Sequence, residues 1–430
     1  MDAATKSEAS GLHSALRYKF IALVGNEYVR AATAADTVAG TQPKLVIEPG
    51  TERELSEILR LSNEAGLAVI PRGGGTKILW GNPPARADVI LSTARMTEIT
   101  EHAWADLTVS VEAGCTIQRL QETLAEHGQR LALDPLWPER ATIGGVLSTN
   151  DSGALRLRFG ALRDLIIGVT IALPDGTLAM SGGKVVKNVA GYDLPKLVTG
   201  ALGTLGIITR AVFRLHPLPR NTRSFSVSAA HAKEAEQFVL AVQDSKLAHT
   251  FLQSHFSKEV APVSDIMFEG TEAGLAAQEA QLRKLAASAS VTEASTSTWN
   301  AREELWGNLD PGATAVAKVS MLPADLARTM EKIERAVQLH KLGWRVLVYA
   351  TGIGCVRLEG KPAALKNALQ LLRVELENRG GSLVVLHRPE KMGEFDAWGD
   401  AGDALALMKA VKRQLDSKNT LNPGRFVGDI

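Results

Sequence analysis

Cysteine is scarce in this sequence, with Cys115 and Cys355 the two present among 430 residues. Two cysteines cannot build a disulfide framework, and neither stands in a CxxC pair or a His-paired zinc spacing. We therefore expect a reducing compartment and no metal site.

Long apolar runs and an excess of one charge are also absent. Lys and Arg number 48 against 47 Asp and Glu, so no strong field exists to hold nucleic acid. No stretch approaches the ~18 consecutive apolar residues of a membrane-spanning helix, and the N-terminus lacks the basic, apolar and cleavage-site order of a secretory signal. These absences predict a cytoplasmic protein that contacts a membrane only peripherally.

What is present is an ordinary globular composition, 45% hydrophobic and 22% charged, in a chain long enough for two or three folded units. We interpret residues 1–40 as an N-terminal extension and 41–219 as a first domain. Residues 220–395 form a second domain in this interpretation, and 396–430 form a C-terminal helix and tail that returns to the first domain.

The two domains differ in their residue patterns, and together these patterns predict an α+β fold. In the first, short β-branched runs alternate with glycine clusters, and Thr51 and Glu54 form a capping box that opens a helix. In the second, long helices alternate with strands, which predicts an antiparallel sheet with helices on one face. Residues 286–298, rich in Ala, Ser and Thr, are predicted to be a surface loop.

The segment Pro71–Lys77 carries three consecutive glycines directly after a predicted strand. Glycines without Cβ atoms let backbone N–H groups turn toward an anion, which favours a phosphate cradle over a plain surface loop. The segment matches neither GxxxxGK[ST] nor GxGxxG, which excludes two common nucleotide-binding loops.

Two later glycine-rich segments, Pro138–Gly153 and Gly200–Thr209, follow in order. With the first loop, they resemble the FAD-binding domain of the vanillyl-alcohol oxidase and p-cresol methylhydroxylase (PCMH) superfamily. The resemblance implies FAD between two α+β subdomains, followed by a cap domain. The residues we predict to bind FAD are Pro71, Arg72, Gly73, Gly74, Gly75, Thr76, Lys77, Pro138, Thr142, Gly144, Gly145, Thr149, Asn150, Ser152, Gly153, Gly206, Ile207 and Ile208.

Two further segments, Gly183–Leu197 and Leu421–Arg425, are similar to the FAD-binding E subunit of bacterial glycolate oxidase. This resemblance implies a complex with a D-type FAD subunit and an iron–sulfur F-type subunit. Such a complex oxidises glycolate, or a similar 2-hydroxy acid, and passes electrons onward to a membrane acceptor. It also implies peripheral attachment at the inner face of the bacterial cytoplasmic membrane.

Departures from the relatives matter as much as the matches. Many of them attach FAD covalently through a loop histidine, but this loop continues Thr76-Lys77-Ile78, so we expect noncovalent FAD. The His-x-Gly-Asp-Gly-Asn-type motif of the D subunit's cap domain is missing. The catalytic residues therefore stay unknown, and each candidate also has a structural interpretation. The candidates are His216, His387, Tyr192, Arg357 and Arg388.

Three functions remain open at this point. The favoured one is an FAD-dependent oxidoreductase that acts on CH–OH groups as a subunit of a glycolate oxidase complex. The second is a noncatalytic assembly subunit that keeps the flavin fold. The third is an independent FAD-linked D-2-hydroxy-acid dehydrogenase, which the missing cap-domain histidines weaken.

Overall fold

The computed structural model describes residues 15–183 and 191–430, and it shows an α+β chain with two domains. The predicted segment Gly183–Leu197 lies in part outside the described residues, since 184–190 are not among them. No helix within the described ranges combines the length and apolarity needed to cross a membrane.

The first domain contains two sheets and a short two-stranded ribbon. Its strands are β1 (Val29–Ala31), β2 (Leu45–Ile47), β3 (Val69–Arg72), β4 (Val89–Ser92), β5 (Ile99–Ala103), β6 (Thr108–Glu112), β7 (Gln129–Arg130), β8 (Ile166–Ala172), β9 (Leu178–Gly182), β10 (Ile207–Arg214) and β11 (His216–Pro217). Its helices are α1 (residues 15–24), α2 (Glu52–Glu64), α3 (Ile117–Ala125), α4 (Ile143–Thr149), α5 (Arg156–Phe159), α6 (Leu162–Leu165) and α7 (Leu194–Val198).

The two sheets define two subdomains. The first has the order β1-β2-β4-β3, with β2 and β3 parallel to β4, and the second has the order β5-β6-β10-β8-β9 with antiparallel neighbours. Helix α1 belongs to the first subdomain, because its Phe20 is fully buried against Leu55 and other residues of that core. The predicted N-terminal extension therefore contributes to the first core from residue 15 onward.

The cap domain is built on one eight-stranded antiparallel sheet in the order β15-β12-β14-β13-β17-β18-β16-β19. Its strands are β12 (Asn221–Ser228), β13 (His249–Ser257), β14 (Val263–Gly270), β15 (Val291–Glu293), β16 (Thr314–Ser320), β17 (Gly343–Tyr349), β18 (Ile353–Glu359) and β19 (Ser382–His387). The helices of the second half of the chain are α8 (Ala232–Asp244), α9 (Glu272–Leu285), α10 (Ala301–Glu304), α11 (Leu326–His340), α12 (Pro362–Glu377) and α13 (Leu405–Leu415).

One face of the cap sheet is covered by helices. Successive side chains of each strand point to opposite faces, so only every second residue can pack against these helices. On β16, Ala315, Ala317 and Val319 pack in one core with the buried stripe of α11 and with α12. The side chains between them, Val316 and Lys318, therefore belong to the other face of the sheet.

Local sequence signals placed most elements correctly, with one clear exception. The capping box at α2 is present in part: Thr51 Oγ1 accepts a hydrogen bond from Glu54 N at 3.1 Å, whereas Glu54 Oε2 accepts from Gly50 N at 2.7 Å and not from the N–H of the N-cap Thr51. The predicted loop 286–298 is wrong in part, because Val291–Glu293 pairs with β12 at the edge of the cap sheet.

A buried ion pair holds the C-terminal tail against the first domain. Lys412 of α13 donates from Nζ to Asp416 Oδ2 at 2.6 Å and to the carbonyl oxygens of Thr204 and Leu421 at 2.8 and 2.9 Å. Leu421 in turn bridges to Val69 of β3. The tail thus ends beside the glycine-rich loop that follows β3.

We predict that Lys412→Met destabilises the chain by roughly 3–5 kcal/mol, because it leaves the inaccessible Asp416 carboxylate without a cation. Urea unfolding followed by circular dichroism would measure the loss. Lys409→Met, the same change at an exposed position of α13, is the control and should stay within about 0.5 kcal/mol of the wild type. Equal stability of the two variants would contradict the structural role of Lys412.

Candidate functional site

An open cleft lies where the loop after β3, the start of α4 and the start of β10 meet. We call it the glycine cleft. Its walls come from three glycine-containing segments and Thr93 of the first domain, and from the C-terminal tail. The lining residues are Pro71, Arg72, Gly73, Gly74, Gly75, Thr76, Lys77, Ile78, Thr93, Thr142, Gly144, Gly145, Ser148, Thr149, Leu202, Gly203, Gly206, Ile207, Ile208, Asn422 and Arg425.

The loop after β3 can take its path only with glycine. A Cβ on Gly74 would lie well inside van der Waals contact with the Arg140 carbonyl oxygen, and one on Gly73 would collide with Thr142 Oγ1. Gly75 has φ +70°, which side-chain-bearing residues rarely adopt. The close approach of the two loops is therefore encoded directly by the glycines.

Most of the residues predicted to bind FAD line the glycine cleft, and four of them do not. Pro138 lines a different cavity at the domain junction, and Asn150 takes a left-handed conformation (φ 49°) after α4. Gly153 donates its N–H to Asp134 Oδ1 at 3.0 Å, and Ser152 is also absent from the lining. The role of the lining residues toward FAD stays a prediction from the sequence.

Arg72 and Lys77, the two cations in the predicted FAD-binding set, already have carboxylate partners. Arg72 Nη1 lies 2.8 Å from Asp36 Oδ1, and Asp36 also binds Arg30. Lys77 is buried, and its Nζ lies 3.1 Å from Asp151 Oδ2. This leaves the backbone N–H groups of the loop as the predicted donors for a phosphate.

Lys77 and Asp151 form a buried cluster with Arg302 of α10, which we call the junction cluster. Arg302 Nη2 donates to Asp151 Oδ1, and Arg302 Nη1 donates to the carbonyl oxygen of Asp134 at 3.4 Å. Lys77 also donates to Leu136 O at 3.1 Å and lies 5.4 Å from the ring centroid of Trp137. The cluster joins the glycine loop, the segment after α4 and the cap domain.

Charges inside the junction cluster favour an ionised Asp151. Burial would raise the pKa of Asp151, but Arg302 and Lys77 outweigh it and hold that pKa below its ordinary value. Burial would likewise lower the pKa of Arg302, yet Asp151 raises it. Burial lowers the pKa of Lys77, although the negative charge of Asp151 acts in the opposite direction.

The C-terminal tail contributes two residues to the cleft that the sequence did not assign to FAD. Asn422 donates from Nδ2 to Leu202 O at 2.5 Å, while its buried Oδ1 has no partner among the described residues. Arg425 donates to the carbonyl oxygens of Ile78 and Trp80. The orphaned oxygen and the glycine-shaped cradle both fit a bound flavin nucleotide, whose ring N–H could satisfy the amide.

The helix-free face of the cap sheet turns toward the first domain. Cys355 and Tyr349 pack there with Ala154, and Val384 packs with Trp80 and Leu136. Lys318 pairs with Cys355 and Val384 across the sheet, so it shares this face. Within the described part of the chain, the Lys318 ammonium has no hydrogen bond or ion pair, a feature that the sequence alone did not reveal.

The five candidate catalytic residues are not brought together. Arg357 is fully engaged by Glu359 at 2.6 Å and by backbone carbonyls, which makes it structural. Tyr192 is 89% exposed, and His216 lies at the domain junction against Phe159. His387 is the last residue of β19 and Arg388 follows it, and the His387 ring centroid is 6.4 Å from that of Trp306.

His387 is the candidate best placed to accept a proton. It pairs across the sheet with Val316, on the face that carries Lys318. Burial, followed by the nearby Arg357, lowers its pKa, so the imidazole is neutral at pH 7. Its buried Nε2 has no partner among the described residues. Those same residues contain no group of three His, Cys, Asp or Glu side chains arranged to hold a metal ion.

Two family models match the chain at the regions just described. Residues 43–181 match the FAD binding domain model, and residues 398–426 match the C-terminal domain of FAD linked oxidases. The first match contains the glycine loop, Thr142 and Thr149, and the second contains Asn422 and Arg425. Residues 43–181 are therefore an FAD-binding domain, and FAD is the cofactor.

Curated relatives and a solved structure extend the comparison. The mitochondrial D-lactate dehydrogenase [cytochrome] of Arabidopsis thaliana is 27% identical over 90% of this chain and 73% of that protein. Glycolate oxidase subunit GlcD of Bacillus subtilis is 32% identical over 50% of this chain, but the match spans only 45% of that subunit. The structure of p-cresol methylhydroxylase with substrate bound has 16% identity, a TM-score of 0.77 and 96% coverage of both chains. It shows that the fold is of the PCMH type.

We predict that Gly74→Ala abolishes FAD binding, because the added methyl group cannot coexist with the Arg140 carbonyl oxygen. The flavin-to-protein absorbance ratio of the purified variant would measure this. Gly270→Ala places its methyl group in open space and is the control, with an unchanged ratio expected. Full flavin content in Gly74→Ala would show that the loop is not the cradle.

A pH dependence follows from Asp134, which lies beside Arg302. Burial raises the pKa of Asp134 from its ordinary 3.8 to about 6. Folding then takes up a proton between about pH 4 and 6, so the stability contributed by Asp134 is greatest below pH 4 and declines as the pH rises to 6. The Tm of wild type minus that of Asp134→Asn should therefore fall by a few °C, on the order expected for such a shift, between those pH values. A constant difference would contradict this assignment.

Proposed function

We propose that this FAD-dependent oxidoreductase is the flavin-binding subunit of a complex that oxidises glycolate, or a similar 2-hydroxy acid, to the 2-oxo acid. The observation that carries the proposal is the glycine cleft, which coincides with the matched FAD-binding domain. Relatives named as glycolate oxidase and D-lactate dehydrogenase support the 2-hydroxy-acid substrate class. The partners in this proposal are a D-type FAD subunit and an iron–sulfur F-type subunit.

Each part of the cleft has a task in this proposal. Backbone N–H groups of Gly73–Gly75 hold the pyrophosphate, and Thr142 and Thr149 line the wall beside it. Asn422 presents its free amide oxygen from the tail, so the tail must be docked for the site to be complete. When bound, FAD supplies the two-electron oxidant for the C–H bond of the hydroxy acid.

The cap domain excludes water from the junction side of the cleft. Trp306 packs against Trp80 and Trp137, with ring centroids 6.1 and 5.3 Å away. The indole rings and the buried junction cluster close the space between the domains near Lys77. A dry environment strengthens every charge interaction made there.

A second candidate, an independent D-2-hydroxy-acid dehydrogenase, is favoured by the D-lactate dehydrogenase match over most of both chains. In that case, the unpaired Lys318 would bind the substrate carboxylate and His387 would accept the hydroxyl proton. Lys318 and His387 share one face of the cap sheet, which makes this candidate chemically testable.

An anaerobic visible spectrum of the purified chain, recorded before and after glycolate and then D-lactate, tests the proposal. We expect a flavin spectrum that neither acid bleaches, together with glycolate oxidation once D-type and F-type subunits are added. Bleaching by either acid alone would establish the independent dehydrogenase. Absence of flavin would contradict both candidates.

A further inference from the structure

The junction cluster has the composition of a carboxylate-binding site. Lys77 borders the glycine cleft, and Arg302 reaches the same point from the cap domain. Two cations in a water-poor pocket beside a flavin cleft are what a 2-hydroxy acid would need for its carboxylate. In this chain, however, an internal carboxylate already lies between them.

Asp151 contacts both cations, one with each of its carboxylate oxygens, as the carboxylate of a bound ligand would. Its Oδ1 accepts a hydrogen bond from the Arg302 guanidinium, and its Oδ2 forms an ion pair with Lys77 Nζ at 3.1 Å. The same Oδ2 also accepts from the backbone N–H of Leu136 at 3.0 Å. The side chain of Asp151 has no exposed surface, against 4% for Lys77 and 12% for Arg302. The position between Lys77 and Arg302 is therefore occupied by the Asp151 carboxylate.

We propose that Asp151 is a built-in occupant of this anion site, so that the chain does not bind the carboxylate of a free 2-hydroxy acid between Lys77 and Arg302. The 2-hydroxy-acid class rests on the proposed function. Substrate then binds at another flavin of the assembly, and the FAD of this chain serves electron transfer or assembly. Asp151 is thereby a specificity-determining residue.

Lys318 does not take the place of Lys77 and Arg302 as a binding group for the substrate carboxylate. Burial lowers its pKa, and the charge of Arg302 lowers it further, so its ammonium is a weaker carboxylate partner than the two in the cluster. Its neighbour across the sheet is the thiol of Cys355, and the described residues place no carboxylate in contact with it.

Removing the Asp151 carboxylate should allow a carboxylate from solution to bind between Lys77 and Arg302. Asp151→Ala leaves a space of carboxylate size facing Lys77 and Arg302, whereas Asp151→Asn removes the charge but keeps the volume. The FAD-loaded full chain of each form is titrated with sodium acetate and sodium glycolate, against sodium chloride at equal ionic strength. The readouts are the Tm and the visible flavin spectrum.

We expect both carboxylates to raise the Tm of Asp151→Ala by about 2 °C or more, and to leave the wild type and Asp151→Asn unchanged. A saturable effect of glycolate on the wild type would overturn the inference, and so would a flavin-containing Asp151→Ala that responds to neither acid. If Asp151→Ala does not fold, the wild-type titration decides: saturable glycolate binding overturns the inference, and no binding supports it.

The same samples separate this inference from the proposed function. A wild-type chain without flavin contradicts the proposed function, whatever the titrations show. A flavin-containing wild type that binds glycolate contradicts only the role given to Asp151.

Discussion

The carboxylate of Asp151 is the contact on which the arrangement of the two domains depends. It joins Lys77 of the glycine loop to Arg302 of the cap domain, and none of its surface is exposed. A buried charge of this kind is stable only while its partners stay in place, and losing one partner typically costs about 3–5 kcal/mol. The position of the loop and the docking of the cap domain are therefore linked through Asp151, next to the contact of Trp306 with Trp80 and Trp137.

The walls of the glycine cleft come from the first domain and from the C-terminal tail. The loops of the first domain supply its glycine walls, and the C-terminal tail supplies Asn422 and Arg425. Lys412 holds that tail to Thr204, just before the strand that completes the cleft. Most of the residues that line the cleft lie within the two matched ranges, 43–181 and 398–426.

Much of the fold and of the cleft could be predicted from the sequence, because glycine patterns and capping residues act locally. Gly73 and Gly74 indicate a close approach of the loop to Thr142 and to the Arg140 carbonyl oxygen, and Gly75 indicates a turn with positive φ. The burial of Lys77 could not be predicted, since Arg302 stands 151 residues from Asp151 and only the folded chain brings them together. The edge strand Val291–Glu293 was missed for the same reason, because its partner β12 supplies the pairing that its own sequence does not signal.

Hydrogen exchange of the glycine loop in the FAD-loaded wild type and in Arg302→Met tests the link between the domains most directly. Arg302 is in the cap domain, so a loop held through Asp151 should exchange its amides faster at residues 73–77 and 150–153 in the variant. Unchanged exchange at both segments, with any increase confined to the cap domain, would show that the junction cluster does not position the flavin loop.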